Sequence, residues 1–281
     1  MLIAVLIIPF SDAIAKWLSS TYSPMQITLI RFFLQGILLY FIAKLMRRKI
    51  ASFKMIYLYL SIFISLCIFF LFWGLAYLPL ANNIALFFIE PLILTLLSVV
   101  FLKEKITKSL VYVLIIGLIG TLIIIRPNWA AYGIAAILPI LAAVFYALYL
   151  MTIRISKNIK DSISMQFWIG VLSTVFLSII SLVATPFEVE ALYFKEFDFS
   201  FLWIFLLLTI ITIVVQLLIS NALYYANASL LASFQYLEII SATFLGWLVF
   251  NDIPDKLTIL GAIIVICSGI FLIKIERVSK A

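Results

Sequence analysis

The chain contains no histidine and only two cysteines among its 281 residues. Without imidazole, the commonest metal ligand and the side chain most often used as a base near neutral pH are both missing. Neither a zinc-type site nor a Ser–His constellation can be assembled, so no enzymatic activity, metal or cofactor is expected. Cys67 and Cys267 fall inside apolar runs, where a thiol packs as a small hydrophobe. Charge is also scarce: Asp, Glu, Lys and Arg make up 11% of the chain, against about a quarter in a soluble domain. That is too little to cover a water-facing surface. No Gly-rich phosphate loop appears, which argues against ATP-driven pumping by this chain. The alternation of polar and apolar residues that builds a membrane barrel is absent too.

What the sequence has is hydrophobic length. Some 67% of residues are hydrophobic, and they gather into ten runs of roughly 17 to 23 residues, each able to cross about 30 Å of hydrocarbon as a helix. The runs are Met1–Leu18, Met25–Leu45, Met55–Tyr77, Ala81–Leu102, Leu110–Ile125, Ile134–Ile153, Met165–Ala184, Phe201–Asn221, Ala228–Phe250 and Leu257–Ile275. They use nearly the whole chain, so the expectation is an all-α integral membrane protein of ten transmembrane helices with no separate soluble domain. The first run lacks a positive n-region and a small-residue cleavage site, and is read as a retained helix.

The basic residues give the helices a direction. With the N-terminus in the cytoplasm, the inner loops hold Lys44, Arg47, Arg48, Lys49, Lys54, Lys103, Lys105, Lys108, Arg154, Lys157, Lys160, Lys274, Arg277 and Lys280. The outer loops hold only Arg126, Lys195 and Lys256. This is a strong positive-inside bias. It accounts for the net charge of +7 as membrane topology, with no nucleic-acid partner needed. The acidic residues of the loop Thr185–Ser200 read as a solvated surface.

A shift of 148 residues brings Glu90 onto Glu238, Thr95 onto Thr243, Glu104 onto Asp252, Lys108 onto Lys256 and Arg126 onto Lys274. Matched apolar residues carry no weight in such a composition, whereas matched charges do. Each half has five spans, an odd number, so the second half must enter the membrane inverted. The expected organisation is a first repeat at 1–126, an inverted second repeat at 134–275, and a cytoplasmic tail at 276–281. Inverted repeats of this kind place a solute site near the midplane between the halves.

Five charged residues lie within the spans: Asp12, Lys16, Arg31, Glu90 and Glu238. Each would cost about 2.5–3.5 kcal/mol at a helix centre facing lipid, so they are expected to face one another, water or a solute. Glu90 and Glu238 both fall about nine or ten residues into their spans, near the midplane. Pro91 disfavours helical geometry at Glu90 and predicts a local kink there. The pair is a candidate to bind a cationic group or to take up a proton; the alternative is a hydrogen-bonded packing role. Asp12 and Lys16, four residues apart, share a helix face and are expected to pair. With Arg31 they would form an outer cluster, structural or anion-binding. Amides and aromatics near these positions, namely Asn83, Gln216, Gln235, Tyr236, Trp73 and Tyr77, are further candidates, through hydrogen bonds, stacking or cation–π contacts, against a plain packing role for each.

The stretch Phe88-Ile89-Glu90-Pro91-Leu92-Ile93-Leu94-Thr95-Leu96-Leu97-Ser98, ending in Leu102-Lys103-Glu104-Lys105, resembles the fourth-helix signature of the EamA family in the drug/metabolite transporter superfamily. Tyr236-Leu237-Glu238, Gly246-Trp247 and Phe250-Asn251-Asp252-Ile253-Pro254-Asp255 resemble the matching signature of the second repeat, and Asp12-Ala13-Ile14-Ala15-Lys16-Trp17 with Arg31 resembles the entry of the first. The resemblance implies ten helices, both termini cytoplasmic, and a central cavity lined by the third, fourth, eighth and ninth helices. Similar members take up riboflavin or S-adenosylmethionine, or export amino acids or drugs. Glu90 departs from the small or apolar residue more usual before this proline. The expected function is a secondary transporter of the bacterial inner membrane, moving a small organic metabolite or drug-like solute by alternating access, with a proton or other coupling ion as partner. The alternative is a non-transporting membrane subunit or an assembly or regulatory protein.

Overall fold

The computed structural model describes residues 1–78, 80–103, 108–125, 133–156, 161–184 and 190–226, and beyond them separate positions that include Gln235, Leu237, Glu238, Ser241 and Leu245. Most of the last two expected spans, and Tyr236 with them, lie outside the described residues. Within the described residues the regular structure is helical: α1 (Leu2–Leu18), α2 (Pro24–Leu45), α3 (Met55–Tyr77), α4 (Leu80–Phe87), α5 (Glu90–Leu102), α6 (Lys108–Ile125), α7 (Ile137–Ile155), α8 (Ser162–Ala184) and α9 (Leu202–Tyr225), with short 3₁₀ turns.

Local chemistry sets several of these limits. Ser23 caps α2 by accepting the Gln26 amide at 3.2 Å, and Pro24 fits the first turn because no N–H is needed there. α3 stops at Leu78, whose extended backbone (φ −107°, ψ 146°) is the conformation favoured before a proline, here Pro79.

The expected fourth span is two helices. α4 ends at Phe87 and α5 begins at Glu90, with a turn at Phe88–Ile89. The break lies upstream of the kink predicted at Glu90, and the cause is Pro91. Proline lacks the N–H that would reach the Phe87 carbonyl four residues earlier, and its ring crowds that carbonyl. Glu90 itself sits in the first turn of α5.

Five described helical segments are long and apolar enough to cross a membrane: Pro24–Leu45, Met55–Tyr77, Ile137–Ile155, Ser162–Val183 and Phe199–Tyr225. Their faces are inverted relative to a soluble protein. On α2, Gln26, Thr28, Arg31 and Gln35 are buried while Phe33 and Phe41 face outward. On α9, Thr209, Thr212, Gln216 and Ser220 are buried while Leu207 and Val214 are exposed. A surface of this kind suits lipid, and the protein is a multi-pass membrane protein.

α3 sits centrally, packed against α7 and α8; α2 pairs with α8, α1 with α9, and α5 with α7. α2 and α8 cross at Gly36 and Gly170, where a side chain on Gly170 would begin 2.8 Å from the Gly36 nitrogen. The segment 190–201 folds over the α1–α2 turn: Gln26 donates to the Lys195 carbonyl at 2.8 Å and accepts the Lys195 amide at 3.0 Å, and the Tyr22 ring packs on Phe197, Phe201 and Phe205. At the opposite end the α2–α3 connection meets α8, through Ala51 with Ser164 (2.9 Å) and Trp168 (2.8 Å).

Candidate functional site

A cavity of about 60 Å³ lies at the centre of the helices. Its lining includes Ser11 and Asp12 of α1, Arg31 of α2, Cys67 and Leu71 of α3, Ile84 and Phe87 of α4, Tyr146 of α7, Thr212 and Gln216 of α9, and Gln235 and Glu238. The third, fourth, eighth and ninth spans expected from the family resemblance are all present, joined by the first, second and sixth.

Arg31 is the cation of this lining and is only 1% exposed. Its Nε and Nη2 have no hydrogen-bond partner, and its guanidinium carbon lies 4.2 Å from the Phe32 ring centroid. Asp12 and Glu238 are the two carboxylates of the lining, 6% and 4% exposed. Ser241, three residues beyond Glu238, reaches the Val5 carbonyl at 3.5 Å, which holds this segment against α1. Glu90 is fully buried, and neither carboxylate oxygen has a hydrogen-bond partner. It stands outside the lining, beside Gln235 and within electrostatic reach of Glu238. Three acids from α1, α5 and the Glu238 segment thus converge with one arginine from α2. Phe87 and Tyr146 add an aromatic wall, their centroids 5.6 Å apart.

On one side the cavity is closed by a hydrogen-bonded layer. Tyr149 donates to Gln216 Oε1 at 3.0 Å and accepts from Gln166 Nε2 at 3.0 Å. Gln166 also donates to Ser220 Oγ at 3.2 Å and is held by Gln35 at its carbonyl, 2.9 Å. Beyond the layer lies a second space of about 300 Å³ lined by Ser156, Ser162, Ser220, Asn221 and Tyr224, among others. Gln216 therefore faces the central cavity while Ser220, one turn on, faces this vestibule.

The sequence profile of the EamA-like transporter family matches this chain over residues 1–126 and 133–274. The chain belongs to the EamA-like transporter family. It is a membrane transporter, and its relatives are named accordingly. It is 26% identical over 212 residues to the pseudopaline exporter of Pseudomonas aeruginosa, covering 73% of this chain and 70% of the relative. It is 27% identical over 277 residues to the S-adenosylmethionine uptake transporter of Rickettsia conorii, covering 95% and 88%. The riboflavin transporter of Vibrio cholerae is 28% identical over 206 residues, covering 73% and 66%. A protein of known crystal structure shares the fold at TM-score 0.78 with 14% identity, over 99% of this chain and 96% of that one. These relatives do not support the alternative of a non-transporting subunit.

In this EamA-family chain the structure brings Asp12, Arg31, Gln235 and Glu238 together at the cavity, with Glu90 behind them. Lys16 is elsewhere. The Asp12–Lys16 pair expected from their spacing does not form; the Lys16 ammonium donates instead to the Leu75 carbonyl and, at 3.1 Å, to that of Leu78. Those are the last carbonyls of α3, where a cation is favoured and orphan acceptors need donors. Trp73 packs against Phe69 and Phe70, and Tyr77 is 55% exposed; neither lines the cavity. Asn83 is one layer back, donating to the Leu71 carbonyl at 3.1 Å and pressed against Gly74, where its oxygen leaves no space for a side chain. Phe87, Tyr146 and the Tyr149–Gln166 layer escaped the sequence reading. The signal available for the layer was glutamine recurring in apolar spans, at Gln35 and Gln166 as well as Gln216.

Proposed function

We propose that this transporter is a secondary carrier of the bacterial inner membrane. Its ten helices form two inverted five-helix repeats, 1–126 and 134–275, with both termini cytoplasmic. The two halves move a small organic metabolite by alternating access around the central cavity. The observation that carries this reading is the convergence of Asp12 and Arg31 from the first half with Glu238 from the second on one cavity. Buried ionisable groups at membrane depth mark solute or ion pathways, and the junction of inverted repeats is where such sites form.

The cavity's size agrees with this mechanism. At about 60 Å³ it is far below the roughly 300–1,000 Å³ of small-molecule pockets, so the surrounding helices must separate to admit a solute. The break between α4 and α5 supplies a joint beside the cavity. Glu90 and Glu238 are candidates to carry a coupling proton.

The test is uptake into liposomes containing the purified chain, with S-adenosylmethionine and riboflavin as first solutes because relatives carry them. Arg31→Gln, Glu90→Gln and Glu238→Gln should each lower flux about tenfold or more, as removal of a buried charge partner does in polar recognition, while leaving the elution profile in detergent unchanged. Full activity with unaltered pH dependence in both glutamate variants would sink their assigned role.

A further inference from the structure

The outer surface carries a groove of about 450 Å³ along the seam of α2 and α8. Phe33, Ile37 and Tyr40 wall it on α2, and Phe167, Val171 and Val175 on α8. Its floor is Gly36, where the close approach of the two backbones leaves no side chain to fill the space. Thr174 on the α8 wall turns its hydroxyl back to the Gly170 carbonyl at 2.8 Å, so the groove presents hydrocarbon and aromatic faces. None of its residues lines the central cavity.

The stripe Phe33, Ile37, Tyr40 continues along one face of α2 to Lys44. From Phe33 to Lys44 is about 16 Å of helix, the depth of one leaflet in a bilayer with about 30 Å of hydrocarbon. Beyond Lys44 come Arg47, Arg48 and Lys49. All four are exposed, and among the described residues none of the four has an ion-pair partner. The described acid at this end is Asp161, whose carboxylate caps α8 by accepting the Ile163 and Ser164 amides, each at 3.2 Å. Arg47 closes α2 in the left-handed region, at φ 52°, with the Arg48 amide bonded back to the Ala43 carbonyl at 2.9 Å. Glycine is the usual residue at such a position, so a guanidinium is kept here against the local preference of the backbone. Basic residues in a loop can set orientation, but that role does not require them at the end of an apolar groove one leaflet long.

We propose that the groove binds one anionic phospholipid from the leaflet at the basic end. An acyl chain lies between α2 and α8, and the phosphate is held by Lys44, Arg47 and Arg48. The two helices belong to the separate matched segments 1–126 and 133–274, so the lipid bridges the two halves of the chain. A second copy of the protein fits the groove less well. Copies inserted the same way and related by a two-fold axis would bring the basic ends together, and like charges oppose that contact.

The test is thermal melting of the purified full chain in neutral detergent, titrated with phosphatidylglycerol or phosphatidylcholine of the same acyl chains, with bound lipids counted by native mass spectrometry. Phosphatidylglycerol should bind as one molecule and stabilise at concentrations at least about tenfold lower than phosphatidylcholine, as basic side chains near an anionic headgroup supply. Combined Lys44→Gln, Arg47→Gly and Arg48→Gln should remove that preference and leave phosphatidylcholine unaffected; glycine suits the left-handed position, so folding is retained. Ile37→Trp fills the groove and should weaken both lipids about tenfold, because the acyl chain loses its apolar contact. In the unmodified chain, about 0.5 M salt should abolish the preference by screening the exposed charges, a readout that needs no variant. Equal binding of the two lipids, phosphatidylglycerol binding that Ile37→Trp leaves unchanged, or displacement of the lipid by millimolar inorganic phosphate would each overturn the proposal. So would a dimer that Ile37→Trp dissociates, which would assign the groove to a second copy.

Discussion

Gly36 and Gly170 let the backbones of α2 and α8 touch. A methyl group placed on Gly170 would begin 2.8 Å from the Gly36 nitrogen and 3.1 Å from its α-carbon. Both obstacles are main chain, so neither can rotate away. The reciprocal substitution is milder: a methyl on Gly36 meets the end of the Val171 side chain at 3.3 Å and main chain only from 3.6 Å. Small residues let membrane helices approach in this way. Gly170→Ala should therefore destabilise the protein by about 1–3 kcal/mol, the usual cost of overpacking, and Gly36→Ala by clearly less. Thermal melting in detergent checks the order, and equal effects would contradict the crossing.

The Lys16 ammonium is held by the end of α3. Lys16→Met removes its donors and leaves the Leu75 and Leu78 carbonyls to find others, at a cost of about 1–3 kcal/mol for unsatisfied buried acceptors. Lys16→Arg should retain most of the stability. Neither variant is expected to alter which solutes compete for uptake. A change in selectivity from Lys16→Met would return this residue to the site.

The Tyr149 layer divides the cavity from the vestibule, and Cys67 gives a native reporter because it is buried and lines the cavity. In a Cys267→Ser background, Cys67 should react slowly with N-ethylmaleimide. Tyr149→Phe deletes the hydroxyl that both donates to Gln216 and accepts from Gln166. Loss of about 1.4 kcal/mol from a layer of this kind corresponds to a tenfold rise in opening, and labelling of Cys67 should accelerate by about that factor. An unchanged rate would mean that access to Cys67 runs by another route.

How far the sequence could be read depended on the range of the forces involved. Helix positions followed from hydrophobic length alone: α3 spans Met55–Tyr77 as expected, and α1, α2 and α6 to α9 fall within a few residues of their runs. Arg31 and Glu238 stood out because a charge at membrane depth is costly wherever it sits. The position of the helix break was harder, since proline acts on the carbonyl four residues before it, and the neighbouring Glu90 kept its helical place. Lys16 misled because spacing reports only its neighbours on α1, while the competing acceptors belong to α3. Tyr146 and Phe87 could not be distinguished from packing aromatics until the helices were arranged around a common space. Tyr236 lies outside the described residues.

The turn at Phe88–Ile89 has a mechanical consequence. A single helix tilts as one rod and carries all its side chains through the same arc. Here the rod is jointed, with Phe87 at the tip of the upper arm and Glu90 at the head of the lower one. Both arms lie against α7, so a change of angle at the turn would slide each along that helix separately. The ring that lines the cavity and the buried carboxylate are thus carried on separate segments.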